Sequence, residues 1–278
     1  MKYLKIIALL GWLVFFSSCE NFFDQTTTID LPKQSPKLGV TALWIDEGNN
    51  RLVTVYASVG ALENDESAAV SQAEITLSED GQTVTTFEED GADKGYYRPL
   101  HSFSLVPGKT YELTVSAPNF ETVSATQVMP QKPTIKSAQY SKDKYKLRFS
   151  MTDQPGENFY LLGIQPPSSS NSGALYTESS FVEESGLKYG RVIFKDESFS
   201  EKSLTLSLEA YPYSSADSLL VNLFSVTEDY YRLDRTVSIS RDAGDNPFAE
   251  PVILHQNFKN GYGVFALGIR DTLLIPVE

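Results

Sequence analysis

Apolar and polar positions alternate along most of this chain, in short runs separated by turn-forming residues. In Ala73-Glu74-Ile75-Thr76-Leu77, and again in Thr110-Tyr111-Glu112-Leu113-Thr114-Val115, every second side chain is apolar. That is the period of a strand with one face in a core. Further strands are expected at 38–45, 51–58, 83–87, 120–128, 135–140, 145–151, 158–165, 190–194 and 204–211. Asp46-Glu47-Gly48-Asn49-Asn50, Asp80-Gly81 and Pro107-Gly108-Lys109 punctuate them with residues that reverse the backbone. Ser218 to Val226 departs from one-sided alternation: Leu220, Asn222 and Phe224 interleave with Val221, Leu223 and Ser225. Apolar groups on both faces predict a strand covered on both sides.

One segment changes period. Tyr230, Leu233 and Val237 fall at i, i+3 and i+7, which predicts a helix over about 227–242. Ser225 and Glu228 have the spacing of a capping box, and Thr227 is a second N-cap candidate. Glu228 and Asp229 at the start and Arg241 near the end complement the helix dipole, and Gly244 supplies a stop. Helical spacing favours a core role for Tyr230-Tyr231 over a ligand platform. Past the helix, Asn260-Gly261 is expected to turn into a strand at 262–268, and Asp271 into a last strand at 273–277. Met129-Pro130-Gln131-Lys132-Pro133 interrupts pairing and suits a stiff joint. The expected fold is mainly β: an N-terminal β-sandwich at 37–129, then a second β-rich domain at 130–278 that carries the helix.

The first residues follow another logic. Lys2 and Lys5 precede an apolar run from Ile6 to Phe16, and Ser17-Ser18-Cys19 closes it with two small residues and a thiol. This is the layout of a secretory signal peptide, and the run is about half the ~20 residues a membrane-spanning helix needs. Cys19 is the one cysteine in 278 residues and has no disulfide partner within the chain. It stands where a lipobox places its modified cysteine, with Phe16 where Leu is commonest. Lipid at Cys19 is therefore expected, each buried CH₂ contributing about 0.8 kcal/mol to membrane attachment. Residues 1–18 then form the signal and 19–36, with Pro32 and Pro36, an extended tether.

Removing 18 residues of 278 leaves 260, and loss of Lys2 and Lys5 takes the formal charge from −13 to −15. Such a polyanion repels nucleic acid and anionic lipid. Catalytic spacing is not found. His101 and His255 are the two histidines, each expected on the surface or in a structural hydrogen bond, and H-E-x-x-H, G-x-S-x-G and P-loop patterns do not occur. The loops 46–50, 63–66 and 88–93 are rich in the oxygen ligands calcium prefers, but Asp, Asn and Gly are also plain turn formers. No catalytic, cofactor or metal residue is assigned. Cys19 is the assigned site, and the chain is read as a non-enzyme.

With these residues in view, the chain resembles a Bacteroidetes family of outer-membrane lipoproteins described as a domain of unknown function. The likeness rests on the signal with Cys19, Gly108-Lys109-Thr110-Tyr111, Glu228-Asp229-Tyr230-Tyr231, Asn246-Pro247-Phe248-Ala249-Glu250-Pro251 and Asn260-Gly261-Tyr262-Gly263-Val264-Phe265. The turn around Gly108 is shared with carboxypeptidase-regulatory-like and Ig-like modules, which implies that type of sandwich for 37–129. Members are similar in being encoded beside TonB-dependent receptors. The resemblance implies a lipid-anchored outer-membrane accessory or binding protein, partnered by such a receptor in nutrient capture or uptake, on the cell-surface or periplasmic side. The alternatives are a surface hydrolase of glycans or peptides and a structural or adhesive envelope lipoprotein.

Overall fold

A computed structural model describes residues 35–45, 51–60, 68–168, 173–177, 179–196, 203–212, 216–244 and 249–278. The expected signal, Cys19, nearly all of the tether, the acidic loops at 46–50 and 63–66, and Asn246-Pro247-Phe248 lie outside the described residues.

The predicted alternation becomes strand wherever a polar side chain has solvent to face. β1 (Leu38–Trp44) pairs antiparallel with β2 (Val53–Ala57) as the expected hairpin, and β3 (Ala68–Ala69) adds to β2. β4 (Glu74–Glu79) and β5 (Gln82–Glu89) join through Asp80-Gly81, both at positive φ. β7 (Thr110–Ser116) buries Tyr111, Leu113 and Val115 on one face, and β8 (Val123–Val128) pairs beside it. Tyr96–Pro99, where no strand is expected, forms a strand, β6, between β2 and β5. Its alternation is too short to read alone: only Tyr97 points inward, where its hydroxyl donates to Val70 C=O at 2.7 Å and accepts from the Ala73 N–H.

Past residue 129 the chain builds a layered region. β9 (Thr134–Ser141), β10 (Lys146–Thr152), β12 (Ala174–Tyr176) and β15 (Ser203–Tyr211) make a four-stranded sheet in the order β12-β15-β10-β9. β11 (Phe159–Gln165), β13 (Val182–Glu184), β14 (Val192–Lys195) and β16 (Ser218–Val226) lie in a second sheet. One core, with Phe149, Tyr160, Leu162 and Leu223, fills the space between the sheets. Another, with Leu161, Phe224, Tyr230 and Leu233, lies between the second sheet and α1 (Glu228–Gly244). Two-sided cover explains why β11 and β16 are apolar on both faces. The fold is mainly β, with α1 the one helix among the described residues.

β17 (Tyr262–Pro276) connects the two regions. Its first half, Tyr262 to Leu267, runs parallel to β1. Its second half, Gly268 to Pro276, runs antiparallel to β16. The turn expected at Asp271 is absent. Asp271 stays in the ladder opposite Leu223, where its carboxylate accepts from the Ile135 N–H at 2.9 Å and pairs with Lys132 at 3.4 Å. An aspartate that reads as a turn former is thus held in a strand by donors from the joint segment and β9. Sheet order runs without a break from β13 to β8 through β17. The Ser124–Lys259 bridge brings β8 back toward the chain just before β17. Residues 36–278 cohere as one compact unit.

Two glycines make the crossing of β17 over β1 possible. Gly263 has φ +102°, and a Cβ there would lie 1.9 Å from Val40 C=O. A Cβ on Gly261 would meet Leu38 C=O at 2.6 Å, whereas the positive φ of the Asn260-Gly261 pair belongs to Asn260.

Candidate functional site

Helix α1 starts where the sheet hands it over. Thr227 is the residue before its first turn. The Thr227 N–H donates to Leu267 C=O at 2.9 Å and its Oγ1 accepts from the Leu267 N–H at 3.3 Å. The expected capping box from Ser225 to Glu228 does not form, because Ser225 is a buried residue of β16. Glu228 instead pairs with Arg232 one turn on, at 2.5 Å.

Three elements meet at this end of the helix. Asp229 comes from α1, Gln127 from β8, and His255 and Asn257 from the segment that leads to β17. Asp229 Oδ1 lies 2.6 Å from His255 Nε2, and its Oδ2 accepts from Gln127 Nε2 at 2.5 Å. The His255 N–H donates to Thr236 Oγ1 at 3.0 Å, so the segment is tied to α1 twice. Asn257 ties it to β17: its Oδ1 accepts from the Phe265 N–H at 3.0 Å and its Nδ2 donates to Phe265 C=O at 2.8 Å. A side-chain amide here does what a neighbouring strand would do.

Burial pushes the Asp229 carboxyl up, but hydrogen bonds from His255, Gln127 and Asn257 outweigh it and hold the group below the usual carboxylate range. The carboxylate is therefore engaged from several sides. A His–Asp pair can orient a general base, but nucleophilic catalysis also needs a hydroxyl or thiol within reach of the imidazole. The contacts of this pair fasten β8, α1 and the 255–257 segment to one another.

A second carboxylate lies five residues along the same helix. Asp234 is fully buried, accepting from Ser185 Oγ at 2.6 Å and from the Gly186 N–H at 2.7 Å. Burial raises its pKa, against the lowering effect of Ser185, Gly186 and Leu187. Arg241 donates to Gly186 C=O, so the 185–187 turn is gripped from two points of α1. Tyr230 and Tyr231 are both buried, Tyr231 with its ring 5.0 Å from that of Phe159, as the core reading of the pair expected.

His101 is exposed and belongs to a different part of the chain, its N–H 3.4 Å from Thr85 Oγ1. In the 88–93 loop, Glu89 accepts from Ser71, Gln72 and Gly95, and Asp90 from Arg98 and Ala92. These acids close a turn. Among the described residues no group of three or more His, Cys, Asp or Glu side chains is placed to hold a metal ion. Gln127 and Asn257 carried no readable signal of their role. Asp234 did carry one, as an acid at i+4 from Tyr230 on the apolar face of the helix.

Residues 24–272 match a family described as Domain of unknown function (DUF4249). The chain belongs to this family. The DUF4249 match takes in every described strand up to Asp271, α1 and the cluster around Asp229 and His255. No curated protein matches the chain.

Proposed function

We propose that this DUF4249 protein is a lipid-anchored accessory or binding protein of the outer membrane, working beside a TonB-dependent receptor in nutrient capture or uptake. The observation that carries this reading is Cys19, the one cysteine of the chain, at the end of a charged, then apolar, then small-residue leader. The resemblance to Bacteroidetes lipoproteins encoded beside such receptors supplies the partner. The polar clusters support a binding rather than catalytic role, since Asp229 with His255, Asp234 with Ser185, and Asp271 with Ile135 all tie backbone segments together. Among the described residues no helix is long and apolar enough to cross a membrane, and acyl chains on Cys19 are the attachment this reading invokes.

The test is Cys19→Ser in the native host. The wild-type protein is expected in the outer-membrane fraction with the added mass of acyl chains, and the variant without that mass and released from the membrane. Crosslinking in intact cells, followed by detergent extraction and pull-down, is expected to recover a TonB-dependent receptor with the wild type. An unmodified Cys19, or wild-type eluates without such a receptor, would overturn the reading.

A further inference from the structure

At one end of the four-stranded sheet four tyrosines gather on the outer surface. Tyr145 closes the β9–β10 hairpin, Tyr211 ends β15, Tyr176 ends β12, and Tyr189 lies in the connection from β13 to β14. They are 51%, 41%, 38% and 69% exposed respectively. The Tyr145 and Tyr211 rings stack with centroids 5.2 Å apart and planes 21° apart, and Tyr176 meets Tyr211 edge-on at 6.0 Å. Tyr189 lies close enough to Tyr176 for the two side chains to interact electrostatically. Exposed rings this close form one surface.

The backbone is built to present them. Tyr145 has φ +49°, a left-handed conformation that a bulky residue adopts only at a cost. The surrounding contacts hold it there: its C=O accepts from the Ala210 N–H at 2.8 Å and its N–H donates to Lys142 C=O at 3.3 Å. In an unbroken strand Tyr145 and Lys146 would face opposite sides of the sheet. Here both are exposed, and Tyr145 reaches the ring of Tyr211. Tyr189 is fixed through its neighbour Gly190, whose C=O accepts from the Leu175 N–H of β12 at 3.1 Å.

Polar groups continue the face away from the rings. Tyr176, Glu209 and Lys146 stand in register across β12, β15 and β10. Lys146 pairs with Glu209 at 3.3 Å, and Glu209 accepts from the Tyr211 hydroxyl at 3.2 Å. The next rows are Ser207, Arg148 and Gln139, then Thr205 beside Ser150. Stacking platforms therefore lead into a ladder of hydroxyl, amide and charged side chains.

We infer that this face binds a neutral polysaccharide, its sugar rings laid on Tyr145, Tyr211, Tyr176 and Tyr189 and its hydroxyls bonded along the Glu209–Lys146 and Ser207–Arg148 rows. A pyranose has a C–H face and a hydroxyl rim, and tyrosine offers the complementary pair, an apolar ring and a polar tip. A protein partner of ordinary kind needs a broader apolar centre than rings bordered by Glu, Lys, Arg, Ser and Thr provide. A formal charge of −13 opposes an anionic glycan. This inference rests on the surface of the chain alone and holds with or without a lipid anchor.

The test is affinity electrophoresis of the full mature protein in a polyoxyethylene detergent, through gels containing xyloglucan, galactomannan, pullulan, mixed-linkage β-glucan or, as the anionic comparison, alginate. At least one neutral polysaccharide is expected to retard the wild type while alginate does not. Tyr211→Ala and Tyr189→Ala are each expected to weaken that retardation by about two- to tenfold, the worth of one aromatic contact. Circular dichroism melts show whether each variant is folded, and Tyr189, as the most exposed ring, guards against a result caused by unfolding. No retardation by any neutral polysaccharide would overturn the inference. So would retardation unchanged in both variants, or retention by alginate or an immobilised peptide alone. Because the readout is retention in a gel, failure here leaves the Cys19 and receptor experiments untouched.

Discussion

The helix-end cluster around Asp229 and the tyrosine face offer opposite lessons about which residues look functional. Asp229, His255, Gln127 and Asn257 are the residue types of an active site, yet their contacts are satisfied by one another and by backbone. The four tyrosines are residue types of a core, yet they stand exposed, one of them on a left-handed backbone. A polar group whose partners are all protein acts as a fastening, and burial makes its loss expensive. An aromatic group left in water contributes little to folding, so its removal shows elsewhere.

The sharpest way to test that contrast is Asp234→Ala. It leaves the Gly186 N–H and Ser185 hydroxyl without their acceptor in a dry site, and is expected to lower unfolding free energy by about 3 kcal/mol, read from urea denaturation. Asp229→Ala removes a half-buried carboxylate and is expected to lower it by about 1–2 kcal/mol after allowance for solvent screening. It should also raise protease sensitivity in the 249–257 segment. Neither variant is expected to change polysaccharide retention at temperatures where it is folded. A loss of retention in folded Asp229→Ala would break the division between fastening and face.

The two carboxylates also titrate with opposite sign. Asp229 is held below its ordinary value, so its contribution is full above a pH of about 4 and is lost as pH falls through the lower folded value. Asp234 is held above its ordinary value, so its contribution is full below a pH of about 4 and is lost as pH rises through the raised folded value. Melting temperature against pH is expected to lose part of its acid fall in Asp229→Asn and part of its decline above a pH of about 4 in Asp234→Asn. The same change in both would contradict the assigned environments.

The smallest expected stability effect is at the tyrosines. Tyr189→Ala should stay within about 0.5 kcal/mol of the wild type, as surface substitutions usually do. Tyr145→Gly gives up stacking on Tyr211 but relieves a left-handed strain of about 1–2 kcal/mol, so its stability is also expected near wild type. Both should nonetheless weaken retention. A large loss of stability in either would make the face a structural element.

Much of the local structure is legible in the sequence itself. Alternation located β1, β4, β5, β7, β10 and β15, the i, i+3, i+7 spacing located α1, and two-sided apolarity marked β16 as covered on both faces. Each depends on periods of two or 3.6 residues, which the chain carries within itself. Tyr96–Pro99 was missed because four residues give too few periods, and Asp271 was misread because its donors, Ile135 and Lys132, lie far away in sequence.

The joining of β17 to both β1 and β16, the gathering of Asp229 with Gln127 and His255, and the placing of Tyr145 and Tyr176 beside Tyr211 belonged to the folded chain alone. Those pairs are separated by up to more than two hundred residues, and no local period encodes which distant neighbour a strand or ring will meet. Local chemistry set what each segment could become, because backbone sterics and side-chain pattern act over a few residues. Long-range packing decided which groups were closed off and which were left facing water.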